Sequence, residues 1–302
     1  MTDTFCGHIV IAGRPNVGKS TLLNHFIGTH LAATAAKPQT TRNRILGVLT
    51  DENYQFVFVD TPGIHAGGKR LINRILNKTA VSSLPDADVV LFVVEAGNWR
   101  EEDELVLQHL KNSDLAVILV PNKIDLLKRN QDLLPFIKKI EKKYNFSEII
   151  PCSAFDKQAV EYLLERLKPY LPAAPFEFSP DDLTDRNMRF LSAEMVREQL
   201  INALEQELPY ALAVEIERYE ETDSRILINA VIYVERAGQK KIVIGKQGAV
   251  LKKVGTEARK RIARLAGQPV HLELWVKVKS GWQDNSRLLQ QFGLDDTGRT
   301  TK

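Results

Sequence analysis

Residues 8–21 read HIVIAGRPNVGKST. The apolar run His8-Ile9-Val10-Ile11-Ala12 leads into a segment that fits GxxxxGK[ST] through Gly13, Gly18, Lys19 and Ser20. A strand that turns through such a loop into a helix aims backbone N–H groups and a positive helix end at phosphates. In that setting Asn16, Val17, Gly18, Lys19, Ser20 and Thr21 form the phosphate cradle. Lys19 reaches the β and γ phosphates, and the Ser20 hydroxyl is a Mg²⁺ ligand. Asn16 has two readings: it stabilises the turn, or its side-chain oxygen seats a K⁺ ion beside the phosphates.

Three further stretches extend the site. Asp60-Thr61-Pro62-Gly63 follows the apolar run 56–59, so Asp60 can hold Mg²⁺ and the Gly63 N–H can meet a γ-phosphate. The next segment, Ile64-His65-Ala66-Gly67-Gly68-Lys69, has adjacent glycines and is expected to move when that phosphate leaves. Thr40 and Thr41 are both candidates for closing on Mg²⁺, with Thr41 favoured. Asn122-Lys123-Ile124-Asp125 stands at the end of another apolar run. The Asp125 carboxylate can accept two hydrogen bonds from guanine that adenine cannot offer, and the Lys123 stem can cover the base. Losing that pairing costs about ten- to thousandfold in affinity. Ser153-Ala154 is placed to offer backbone N–H groups to the base. Lys19, Thr41 and Gly63 are the expected catalytic positions, and Ser20, Thr41 and Asp60 the expected metal ligands. Small signalling GTPases carry a water-orienting Gln where this chain has Ile64, so intrinsic hydrolysis is expected to be slow.

Around these motifs, apolar runs at 9–12, 55–60, 88–95, 115–122 and 149–152 alternate with helical patterns at 19–31, 70–83, 101–111, 135–144 and 159–170. That succession predicts an α/β domain with a mostly parallel sheet over residues 1–172. Three prolines within 171–180 mark a linker, set at 173–184. A smaller α+β domain is expected over 185–294, with a helix at 189–207, strands at 211–220 and 225–235, a basic helical region at 240–265 and a strand at 270–279; residues 295–302 form a polar tail. In the last strand, Leu272, Leu274, Val276 and Val278 share a face expected to be buried. Trp275 lies on the other face and either stacks on a base or, as favoured, packs against its own domain; Trp99 and Trp282 are read as structural.

The 302 residues carry 41 Lys+Arg against 38 Asp+Glu, a net charge of only +3. From Arg236 to Arg264, however, ten basic residues face the single acid Glu257, so positive charge is focused there. Inside it lies Ile244-Gly245-Lys246-Gln247-Gly248, a GxxG of the kind with which KH domains clamp nucleic-acid backbone. Lys240, Lys241, Gly245, Lys246, Gln247, Gly248, Lys252 and Lys253 are the expected RNA-binding residues. The two cysteines, Cys6 and Cys152, form no CxxC pair and read as buried thiols of a reducing compartment. The start MTDTFCGHIVIAG has no basic n-region, and no run approaches a membrane span, so a cytoplasmic protein is expected.

With GRPNVGKST, PQTTR, DTPG, NKID, VERAGQKKIVIGKQG and HLELWVKVKSGW in that order, the sequence resembles the bacterial Era GTPase family from about Cys6 to Phe292. The resemblance implies a P-loop GTPase domain joined to a type II KH domain, GTP hydrolysis to GDP with Mg²⁺, and a likeness that extends to Ile64. It also implies binding of 16S ribosomal RNA near its 3′ end during 30S subunit assembly and peripheral contact with the inner membrane; the chain is expected to be a monomer. An RNA-binding module with a merely structural nucleotide domain is the competing reading. A tRNA-modifying enzyme is disfavoured because the sequence has no recognisable carbon-transfer site.

Overall fold

The computed structural model describes residues 4–35, 37, 40–64, 70–205 and 208–294. Pro38 and Gln39, the glycine-bearing segment 65–69, Glu207 and the tail 295–302 lie outside the described residues.

The first half alternates strands and helices: β1 (Phe5–Ala12), α1 (Lys19–Ile27), β2 (Ile45–Asp51), β3 (Tyr54–Asp60), α2 (Leu71–Ser82), β4 (Val89–Glu95), α3 (Glu101–Lys111), β5 (Ala116–Asn122), α4 (Leu133–Ile140), β6 (Glu148–Ile149) and α5 (Lys157–Leu167). Six strands form one sheet in the order β2-β3-β1-β4-β5-β6. All neighbours are parallel except β2, which pairs antiparallel with β3. Side chains alternate across the sheet. Ile9, Ile11, Phe58, Leu91 and Val93 face α1 and α5, whereas Val10, Val59, Val90, Phe92 and Val94 face the layer containing α3 and α4. Both faces are therefore dry, which is why these strands read as continuous apolar runs.

The sequence reading has no strand at β2. Gly47 interrupts its apolar run, and the strand is defined by tertiary pairing with β3, from Ile45 opposite Asp60 to Asp51 opposite Tyr54. Strand β6 covers two residues rather than 149–152, although the Ile150 and Cys152 N–H groups still bond along β5 to Leu119 and Pro121, each at 2.9 Å. The proline-rich stretch is stitched to the sheet edge. Gln55, fully buried, accepts from the Glu177 and Phe178 N–H groups at 2.8 and 2.9 Å, and Val48 donates to the Leu183 carbonyl at 2.9 Å.

The second half contains α6 (Met188–Ala203), β7 (Leu212–Glu221), β8 (Ile226–Val234), α7 (Ala237–Ile244), α8 (Ala249–Ala266), β9 (Val270–Val278) and α9 (Ser286–Gln291). Its sheet runs β7-β8-β9, with β7 antiparallel and β9 parallel to β8. Helices α6, α7 and α8 bury one face through Met195, Leu200, Val243, Val254, Ala258 and Ile262. Two expectations for β9 change. Val276 is buried and Leu272 and Leu274 half-buried, but Val278 is 44% exposed at the strand's end; Trp275, expected to pack on its own domain, is 59% exposed. Strand β9 is an edge strand, so neighbours cover it less fully than β8.

The other face of the second sheet is covered partly by the first domain. Ile72, Ile75 and Leu76 of α2 join Ala213, Val231, Tyr233, Leu289 and the fully buried Trp282 in one apolar cluster. The structural reading of Trp282 fits that burial. Trp99 packs edge-on against Phe92 at 6.0 Å. Both cysteines are buried and unpaired.

Candidate nucleotide site and nucleic-acid surface

The loop after β1 wraps a cavity of about 650 Å³, within the range of small-molecule sites. Asn16, Gly18, Lys19, Ser20, Thr21, Thr41, Gly63, Asn122, Lys123, Asp125 and Ala154 line it. Val17, Asp60, Thr61, Pro62, Ile64 and Ser153 are buried around it. A smaller cavity of about 330 Å³ beside α1 and α5 contains none of the expected site residues.

Gly18 caps α1 with φ +103°, and a Cβ there would sit 2.2 Å from the Asn122 amide nitrogen. The base loop and the phosphate loop thus interlock at a glycine. Asn122 completes the lock by donating to the Val17 carbonyl at 2.8 Å and accepting from Ala154 N–H at 3.0 Å. Asn16 adopts φ +64°, a turn conformation that asparagine tolerates, and its carbonyl accepts from Lys123 Nζ at 2.5 Å. Lys123 itself has φ +63°. The bond to Asn16 holds the Lys123 side chain against the phosphate loop, and both residues line the cavity.

Ser153 and Ala154, expected to offer backbone N–H groups to the base, also take part in bonds to the Asn122 and Asp125 side chains. The Ala154 N–H is held by Asn122, and the Ser153 hydroxyl donates to Asp125 Oδ1 at 2.5 Å. This pair ties the loop after β6 to Asn122 and Asp125.

At the phosphate end, Lys19 is buried and donates to the Gly13 and Arg14 carbonyls at 3.1 and 3.0 Å. Burial pushes its pKa down to about 8, because the charged ammonium has lost its water. Ser20 Oγ lies 2.6 Å from Asp60 Oδ2 and 2.7 Å from Thr41 Oγ1, which is itself 3.4 Å from the same carboxylate oxygen. Burial raises the Asp60 pKa, against the pull of Lys19, Ser20 and Thr41. Its other oxygen, Oδ1, is buried with no partner among the described residues. Three oxygen donors and an orphaned carboxylate oxygen suit a hard divalent cation such as Mg²⁺. Thr40, the alternative, turns its hydroxyl to the Lys37 carbonyl at 2.5 Å, away from that cluster. Thr61 donates to the Ile11 carbonyl at 3.2 Å, Gly63 lies against Pro15 and Ile64 is in the apolar core.

Several participants are not evident from motif spacing. Arg14 bridges Glu95 at 2.9 Å and the buried Asp103 at 3.1 Å, tying the phosphate loop to β4 and α3. Phe155, 76% exposed, lines the cavity edge-on to His25. A third group, Arg42, Glu194, Arg197 and Glu198, is buried between the two halves of the chain. The available signal for that group is a charged Glu194, Arg197 and Glu198 set among Leu191, Met195 and Ile201, where helical periodicity calls for apolar residues.

In the second domain, Gly245 ends α7 with φ +74°, and a Cβ there would meet Val250 at 2.5 Å. Gln247 at φ +52° and Gly248 at φ +78° complete a tight turn into α8. Lys241, Lys246, Gln247, Lys252 and Lys253 are exposed on this turn and its flanking helices, with Lys240 and Gly248 half-buried. Exposed Ile242 and Val278 add apolar surface on α7 and β9. Not every basic residue belongs to this surface. Arg261 turns toward the first domain and pairs with the buried Glu198 at 2.6 Å.

Residues 8–123 match a family model described as 50S ribosome-binding GTPase, and residues 207–283 match the KH domain. GTPase Era from Coxiella burnetii (strain Dugway 5J108-111) is 47% identical over 98% of this chain and 100% of its own length. GTPase Era from Histophilus somni (strain 129Pt) is 47% identical over 97% of this chain and 98% of its own. A crystal structure of Era in complex with MgGDPNP and nucleotides 1506–1542 of 16S ribosomal RNA superposes with a TM-score of 0.93, at 38% identity over 97% of this chain and 99% of that one. An Aquifex aeolicus Era variant bound to GDP·AlF4⁻ gives the same TM-score and identity, covering 97% of this chain and 100% of that one. A P-loop domain and a KH domain in this order, with identity sustained over almost the whole length, place the chain in the Era family of GTPases.

Proposed function

We propose that this GTPase is a switch that binds the 3′ region of 16S ribosomal RNA through its KH surface and acts in assembly of the 30S subunit. The observation that carries the reading is one chain joining a guanine-nucleotide cavity to a basic GxxG turn. The near full-length likeness to an Era holding MgGDPNP and a 16S fragment together supports the same pair of ligands. Residues 1–172 form the GTPase domain in this reading, 173–184 the linker, 185–294 the KH domain and 295–302 a tail.

The N–H groups of residues 16–21 and the Lys19 ammonium bind the phosphates. Ser20, Thr41 and Asp60 would hold Mg²⁺, which when bound neutralises charge on the β and γ oxygens. Gly63 offers its N–H to the γ-phosphate, and Lys19 and Thr41 act with it in the hydrolytic step. Asp125 reads guanine, supported by Asn122, Ser153 and Ala154, while Lys123 covers the ring. Ile64 is held in the core, so its side chain orients no water and the intrinsic rate is low. Partner activation can then supply up to about 10⁵-fold. We extend the proposal to K⁺ seated by the Asn16 side chain, to a monomer in the cytoplasm, and to peripheral contact with the inner membrane; no described helix is long and apolar enough to cross a membrane.

Single-turnover GTP cleavage, measured alone and with 30S subunits, tests the switch. Slow cleavage that the subunits accelerate is expected, and no cleavage in either case would leave only an RNA-binding module. Repeating the assay with Na⁺ in place of K⁺ tests Asn16, because equal rates would remove the cation. Sedimentation with and without anionic vesicles tests the remaining parts: a dimer overturns the monomer, and no vesicle-bound fraction overturns the membrane contact.

A further inference from the structure

Thr41 lies in a segment whose flanks are held by the second half of the chain. The Thr34 N–H and hydroxyl donate to Glu198 Oε1 at 3.1 and 3.0 Å. Lys37 donates to the Ile201 carbonyl at 2.7 Å and to that of Leu204, at the end of α6. Arg197 donates through Nη2 to the Thr40 carbonyl. Arg42 donates to the Leu212 and Tyr210 carbonyls at 2.7 and 3.1 Å and lies over the Trp282 ring. Thr41 alone in this set points the other way, toward Ser20 and Asp60.

Arg197 is the member nearest to Thr41 in sequence effect, because it grips the preceding carbonyl. It is 3% exposed and held by Glu194 through Nε at 2.8 Å and Nη2 at 2.5 Å. A guanidinium held in a two-point fork has little freedom left, so the carbonyl it binds is fixed in space. Fixing the Thr40 carbonyl fixes the peptide plane from which Thr41 projects.

We propose that Arg197, oriented by Glu194, is a positioning residue for GTP hydrolysis: from the KH-side helix α6 it sets the backbone that presents the Thr41 hydroxyl to Ser20 and Asp60. The inference rests on the reading of Thr41 as the residue that closes on Mg²⁺. It makes the second domain part of the nucleotide machinery. It also separates the two nucleotides, since closure by Thr41 belongs to the triphosphate state and GDP binding does not need it.

The test is the double variant Arg197→Met with Glu194→Gln, which removes both charges of the pair at a site where Glu194 also faces the buried Arg42. Losing one well-placed contact to a charged group costs about tenfold or more in affinity, so binding of the slowly hydrolysed analogue GTPγS with Mg²⁺ should fall by about that much, with GDP affinity within about twofold of the parent. Amide exchange across 40–42 in nucleotide-free protein should quicken, a readout independent of hydrolysis. Arg197→Lys keeps the charge without the fork and should lie between parent and double variant, which keeps the test decisive if the double variant folds poorly. Thr41→Ala is run alongside. If Thr41→Ala does not lower GTPγS affinity, the reading of Thr41 fails. If it does, and neither Arg197 variant shifts GTPγS affinity or exchange, the positioning role is overturned. Equal losses for GDP and GTPγS would also overturn it, because they mark a purely structural residue.

Discussion

The Ser153 hydroxyl donates to the Asp125 carboxylate at 2.5 Å, joining the loop after β6 to the loop after β5. Asp125 is exposed and would otherwise rotate freely, so this bond orients the carboxylate before a base arrives. Ser153→Ala should therefore weaken GDP and GTP together, by about tenfold for the loss of one hydrogen bond to a charged acceptor. Asp125→Asn should shift preference from guanine toward xanthine, since the amide offers a donor where the carboxylate accepts. Competition between GTP and XTP for each variant checks both; retained guanine selectivity in Asp125→Asn would refute the base assignment.

The parts legible in sequence are those whose physics is local. Gly13, Gly18 and Lys19 sit at fixed spacing because a phosphate loop needs those conformations and that charge, and continuous apolar runs marked β1, β3 and β4 as strands buried on both faces. Strand β2 was not legible because its Gly47 breaks the apolar run and its definition comes from β3. The hydroxyl role of Ser153 depends on two loops meeting across 28 residues. The burial of Glu194, Arg197 and Glu198 depends on one domain docking on another, and charged residues on a helix otherwise read as solvated. Arg261 shows the same limit: counted by sequence it belongs to the basic surface, yet it is spent on Glu198.

Glu198 gives a prediction with a defined pH window. Burial alone would raise its pKa, but the His30 hydrogen bond and charge, the Arg261 charge and the Thr34 N–H outweigh it and hold the carboxyl below its usual value of 4.5. The folded form thus favours the ionised carboxylate more than the unfolded chain does. That stabilisation is fully present above the unfolded value and disappears as pH falls through the lower folded value. Its partners are each about a third exposed, so screening reduces it, and a loss of about 2 kcal/mol is expected for Glu198→Gln near neutrality. Urea denaturation of parent and variant from pH 7 down to about 3 should show a gap that narrows as pH falls below the usual glutamate range. A gap independent of pH would show that the ion pairs contribute nothing net.

The KH surface makes a quantitative claim about salt. Val243, Val254, Ala258 and Ile262 commit one side of α7 and α8 to the core, which leaves Lys246 and Lys252 in solvent beside the GxxG turn. If both neutralise RNA phosphates, each releases about 0.7 counterion from a single strand on binding. Lys246→Gln with Lys252→Gln should then flatten the slope of log affinity against log salt by about 1.4, and weaken binding most at low salt. Lys260→Gln is the control, because Lys260 is exposed on the same helix but paired with Glu257 at 2.9 Å. A general field effect would make the control resemble half of the double variant, whereas direct phosphate contacts leave its slope near that of the parent. An unchanged slope in the double variant would move the RNA contact off this turn and onto another face of the chain.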